Sequence, residues 1–142
     1  MRATQIADDK VRAYLATDYR LGHNEHSIVL RIGQRSDRLA GLFASADVDC
    51  GAFLTACNPM GRMQIDLANE LAHARLAAKL DRLQLLAIEG SGSEASSVWP
   101  AERSYFAMGL ALETAKEIGA EFNQDAIVWV GADAVPELIL LR

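Results

Sequence analysis

The succession of extended and helical hydrophobic patterns constrains this chain more than any other feature. Ala126-Ile127-Val128-Trp129-Val130 is a compact run of β-favouring apolar residues and predicts a strand. Residues 138–141 follow a turn at 131–136, which predicts a hairpin partner. Residues 52–57 are also nearly all apolar, the pattern of a strand covered on both faces. Asn58-Pro59 stops that run, and Gly61 permits a sharp exit. The period then lengthens. Over residues 64–83, Ile65, Ala72, Leu76 and Leu83 share one helix face. Leu67, Leu71, Ala74 and Ala78 form a second stripe nearly opposite. A helix apolar on two sides is either sandwiched between elements or set at a subunit contact. Asn69 falls at the edge of the first face, where a buried amide needs partners.

The remaining segments complete the order. Residues 13–20 and 27–32 read as strands, joined by the turn Gly22-His23-Asn24-Glu25. Ser36 can cap a short helix with Leu39, Leu42 and Phe43 on one face. Residues 85–88 read as a strand, and the small polar stretch 90–97 as a mobile loop. Ala111, Ala115, Ile118 and Phe122 mark a helical face. Carried backward, that phase would put Phe106 and Leu110 among glutamates, so residues 104–108 read as a strand and the helix starts near Gly109. The order is ββαβαββαββ. It predicts an α+β fold, a mixed β-sheet with about three packed helices, in one domain over residues 1–142. With 51% hydrophobic residues, the chain can fill such a core.

Composition excludes several function classes. No apolar stretch reaches 18 residues, so no transmembrane helix is expected. The first ten residues lack the apolar core of a secretory signal, and a cytoplasmic location is the default. A net charge of −5 argues against nucleic acid as a partner. Arg31, Arg35 and Arg38 form a local basic cluster of the kind that is usually solvated surface. Cys50 and Cys57 flank one strand at a spacing that points them to opposite faces, so they read as free buried thiols.

Four motifs then occur in order. They are Phe53-Leu54-Thr55-Ala56-Cys57-Asn58-Pro59, Asn69 within Ala68-Asn69-Glu70-Leu71, Trp99-Pro100-Ala101-Glu102-Arg103-Ser104-Tyr105-Phe106, and Phe122-Asn123-Gln124-Asp125-Ala126-Ile127. Together they resemble the bacterial family called domain of unknown function 3293, from about Tyr14 to the end of the chain. Two positions depart from the family pattern. Cys57 stands where an aromatic is usual, and Asn123 where a glycine is usual. The resemblance implies no catalytic residue and no activity.

The chemistry must therefore be read from the residues. Asn58-Pro59-Met60-Gly61-Arg62 leads from a strand to a helix, where backbone N–H groups and Arg62 could hold an anion. The plainer reading is a turn. In an extended segment Glu102, Ser104, Phe106 and Met108 point to one side. A carboxylate leading into an apolar face has the setting of a general acid or base, or else it hydrogen-bonds a loop. Asn69 and Gln124 are amides that tie loops to the sheet or orient a polar ligand. His23 and His26 have a metal-like spacing, but no carboxylate or cysteine completes a site, and His73 stands alone on its helix. No cofactor signature is present.

Two readings follow. In the first, Asn58, Asn69, Trp99, Glu102, Ser104 and Gln124, with Arg62 nearby, converge on a pocket for a small polar or anionic ligand. Glu102 is then the catalytic acid or base. In the second, the motif residues only secure the fold. The chain is then a non-enzymatic interaction module or homodimer that covers its surplus apolar surface.

Overall fold

The computed structural model describes residues 4–94 and 101–142. Among these, four α-helices and seven strands are arranged on one sheet. The strands are β1 (Asp18–Leu21), β2 (Ile28–Leu30), β3 (Gly51–Leu54), β4 (Ala87–Ser93), β5 (Glu102–Met108), β6 (Ala126–Val130) and β7 (Pro136–Leu140). Their spatial order is β2-β1-β4-β5-β3-β6-β7. Every neighbouring pair is antiparallel, which corrects the expectation of a mixed sheet. Only β1 to β2, β4 to β5 and β6 to β7 are direct antiparallel connections; β2 to β3, β3 to β4 and β5 to β6 join strands that run the same way and cross over at least one antiparallel strand between them.

The helices are α1 (Asp8–Leu15), α2 (Asp37–Ala46), α3 (Asp66–Arg82) and α4 (Leu112–Glu121). Three of them lie where periodicity placed them. Ser36 caps α2 by accepting a hydrogen bond from the Leu39 backbone N–H at 3.1 Å, and Leu39 and Phe43 are buried. The fourth, α1, replaces the front of the strand expected at 13–20. Asp8 and Asp9 occupy its first turn, where negative charge suits the helix dipole. It buries no residue fully, so its sequence carries little of the apolar pattern that identifies a helix.

Period-two alternation divides the core. Ala52, Leu54, Ala107 and Ile127 point to the face covered by α3 and α4. Tyr19, Phe53, Phe106 and Val128 point to the opposite face, where α2 brings Leu39 and Phe43. The Phe43 and Phe106 rings stack at 6.2 Å. The segment expected as a loop at 90–97 is strand as far as Ser93, with 95–97 outside the described residues. Glycine and serine have weak strand preference, but β4 is paired on both sides, and that ladder overrides propensity. Gly90 is needed there. A Cβ at this position would lie 2.1 Å from the Arg20 carbonyl oxygen.

On α3 the core face consists of Ala72, His73, Leu76 and Leu80, whereas Ile65 and Leu83 are exposed. His73 is 3% exposed and stacks on Tyr105 at 4.3 Å. Neither ring nitrogen has a hydrogen-bond partner among the described residues. The Glu89 carboxylate, 3.4 Å from Nε2, is shared with Arg103, which also pairs with Glu70. Burial, and then the Arg103 charge, hold the imidazole below its ordinary pKa of 6.5.

Two outcomes follow from this packing. Gly90→Ala should lower stability by roughly 1–3 kcal/mol, read as an earlier urea midpoint. Because the His73 pKa is lowered on folding, the unfolded chain takes up its proton first. Its contribution is present above pH 6.5 and is lost as pH falls below that value. His73→Phe keeps an aromatic stack, and urea melts across that range should show a shallower loss than in the parent.

Candidate functional site

The site is built where β3 ends. After Leu54 the chain turns through Asn58, at φ 48°, into a three-residue 3-10 turn, Pro59–Gly61. Asparagine tolerates this left-handed backbone better than other side chains do. Asn58 and Asn69 then lock together. The Asn58 backbone N–H donates to Asn69 Oδ1 at 2.9 Å, and Asn69 Nδ2 donates back to Asn58 Oδ1 at 3.0 Å. Gln64 adds a donor to each acceptor, its backbone N–H to Asn58 Oδ1 and its Nε2 to Asn69 Oδ1. The remaining Asn58 donor, Nδ2, reaches Glu102 Oε2 at 2.7 Å.

Glu102 stands at the start of β5 and points, with Ser104, to the face away from α3. Burial raises its pKa, while the Asn58 hydrogen bond and the Lys10 charge pull the other way without cancelling the rise. Oε1 receives no hydrogen bond from the described residues. Ser104 is buried and its hydroxyl meets the Glu102 carbonyl at 3.3 Å. Gln124 ties the loop after α4 to the loop after β3, donating to the Cys57 carbonyl at 3.1 Å.

A cleft of about 480 Å3 opens above these groups. Tyr19 and Phe53 form part of its wall and meet edge-to-face at 5.3 Å. Lys10 and Tyr14 of α1 close the other side. The helix is anchored by Lys10, whose ammonium pairs with Asp125. Asp125 is 2% exposed and also pairs with Arg142 near the end of the chain. Burial opposes ionisation of Asp125, but Arg142 and Lys10 outweigh it and hold the carboxyl below its usual pKa. The Tyr14 phenol is pushed up by burial and by the charges of Asp125 and Glu102.

Of the six residues expected to converge, the fold brings five together: Asn58, Asn69, Glu102, Ser104 and Gln124. The sixth, Trp99, lies outside the described residues. Arg62 does not join them. It is exposed and apart from the cleft lining, because the 3-10 turn separates it from Asn58. The helix N-terminus expected to hold an anion with it begins only at Asp66, an acidic residue. Lys10, Tyr14, Gln64 and Asp125 were missed. Asp125 had a visible signal, a lone carboxylate abutting a strongly apolar strand, but its partners are distant in sequence. A larger groove of about 610 Å3 runs between α3 and α4. Its carboxylate, Glu121, is exposed and paired with Lys79, so it lacks the buried acid found in the cleft.

Fold and site define an α+β protein on one antiparallel sheet, with an aromatic-walled cleft that holds Glu102 beneath its first helix. The chain belongs to the family described as Protein of unknown function (DUF3293), whose model matches residues 54–127. That match is narrower than the span from Tyr14 onward suggested by the motifs. It holds Asn58, Asn69, Glu102, Ser104 and Gln124, but not Lys10, Tyr14 or Arg142. No curated protein and no solved structure matches the chain. The structure also accounts for one departure from the family pattern. Asn123, where glycine is usual, has φ 55°, a conformation that asparagine can take at modest strain.

The paired amides carry a stability prediction. Asn58→Ala and Asn69→Ala should each cost about 1–3 kcal/mol by leaving buried groups unpaired. The double variant should lose less than the sum, and a thermodynamic cycle from denaturant melts measures the coupling.

Proposed function

We propose that the cleft binds a small polar ligand through a donor placed on Glu102 Oε1. Glu102 is then the proton acceptor or donor of any reaction carried out there. One observation carries this reading. Asn58 fixes one oxygen of a largely buried carboxylate of raised pKa, and the other oxygen accepts no hydrogen bond from the described residues beside the cleft. A carboxylate so placed is costly unless it serves a partner, and a pKa moved toward neutrality suits proton transfer.

Charge favours a neutral or cationic ligand over an anionic one. Lys10, the cation in the cleft lining, is committed to Asp125, and Arg62 is elsewhere. The aromatic walls suit an apolar body or the face of a cation. The amides Asn58, Asn69, Gln64 and Gln124 support the site and position Glu102. Their hydrogen bonds to protein groups hold the loop after β3 in place.

Native mass spectrometry of freshly purified protein tests the reading. A retained small molecule should weaken roughly ten- to a hundredfold in Glu102→Gln, the loss expected of one charged hydrogen bond. The same variant should be more stable by roughly 0.5–2 kcal/mol at neutral pH, since it removes a carboxylate that burial disfavours. Binding unchanged in Glu102→Gln, or a loss of stability equal to that of Asn58→Ala, would make Glu102 a structural residue and sink the proposal.

A further inference from the structure

The helix α3 carries apolar surface that its own chain does not cover. Seven of the nine exposed large hydrophobic side chains among the described residues fall between residues 60 and 86. Two of them, Leu67 and Leu71, lie together on the outer stripe of α3, whereas Ile65 and Leu83 fall nearly opposite. Leu67 and Leu71 are 65% and 58% exposed, and Ala74 and Ala78 continue their line on the outer face. Spacings of four, three and four form the seam of a two-helix contact.

We propose that this stripe is the centre of a homodimer in which two copies of α3 pack side by side, parallel, about a two-fold axis. Charge selects both the occupant and the direction. At 100° per residue, Glu70 flanks the seam on one side and Arg75 on the other. Arg75 has no ion-pair partner among the described residues, and Glu70 Oε1 is used by Arg103. A parallel two-fold pair sets each flank against the opposite flank of its mate, five residues on. Glu70 then meets Arg75 of the partner subunit, and the pair occurs twice. An antiparallel pair sets like flank against like flank and forms neither contact. The stripe thus contains the full charge complement of a second copy of itself, and two-fold dimers are the commonest oligomers. The seam stops after Ala78, because the next position in phase is Asp81 and two-fold symmetry would oppose two carboxylates there. The helix lies on the sheet face away from the cleft, so both clefts stay open.

Sedimentation equilibrium of the full chain tests this directly. The parent should be a dimer. Leu71→Glu, at an exposed position, should be a monomer with an unchanged far-UV spectrum. Arg75→Glu alone should weaken the dimer about tenfold, and Glu70→Arg combined with Arg75→Glu should restore it. Asp81→Leu should tighten it by lengthening the seam. A monomeric parent overturns the proposal and leaves the stripe to a different protein. A dimer indifferent to Leu71→Glu, or a double reversal weaker than the single one, overturns it equally.

Discussion

A carboxylate that has left water holds the two ends of this chain to its sheet. Asp125 sits at the start of β6 with almost no exposure, and an ionised group there is tolerated only when compensated. Lys10 and Arg142 compensate it, one from α1 and one from beyond β7. The dependence is strong because α1 buries no side chain fully, so apolar burial contributes little to its docking. Its other ties are single hydrogen bonds, such as the Tyr19 hydroxyl to the Tyr14 carbonyl at 2.9 Å. Without the Asp125 cluster the cleft would lose the wall formed by Lys10 and Tyr14.

The opposite wall is made rigid by different means. Asn58, Gln64 and Asn69 are tied to one another by four hydrogen bonds. Such a network fixes the loop after β3 at a left-handed residue and presents one amide donor to Glu102. The three amides therefore support the carboxylate from behind. The result is a firmly held carboxylate in an aromatic-walled cleft, with one oxygen that accepts no hydrogen bond from the described residues.

The sheet keeps the two surfaces of interest apart. One face carries α2, α1 and the cleft, and the other carries α3 and α4. β5 contributes to both, because alternate residues point to opposite sides. Glu102 and Ser104 face the cleft, whereas Arg103 and Tyr105 meet Glu70 and His73 of α3. An event at the outer helix face therefore lies one strand thickness from the buried acid.

The sequence by itself determined the elements with a strong period. β3, β6, α2, α3 and α4 were legible because burying one face forces a repeat of 2 or 3.6 on the residues. The grouping of Asn58, Asn69, Glu102, Ser104 and Gln124 was legible for a related reason, since polar residues at the ends of apolar elements must meet where those ends converge. Only the tertiary structure decided the rest. α1 was hidden because its stability comes from an ion pair with a residue 115 positions away. The second half of β4, from Gly90 to Ser93, was hidden because neighbouring ladders, and not its glycines and serines, make it a strand. Arg62 looked like part of the site because sequence distance to Asn58 is short, but one 3-10 turn directs it elsewhere. Periodicity is a local record of burial. Which charge compensates which, and which backbone approaches which, are set by contacts between distant residues and leave no local pattern to read.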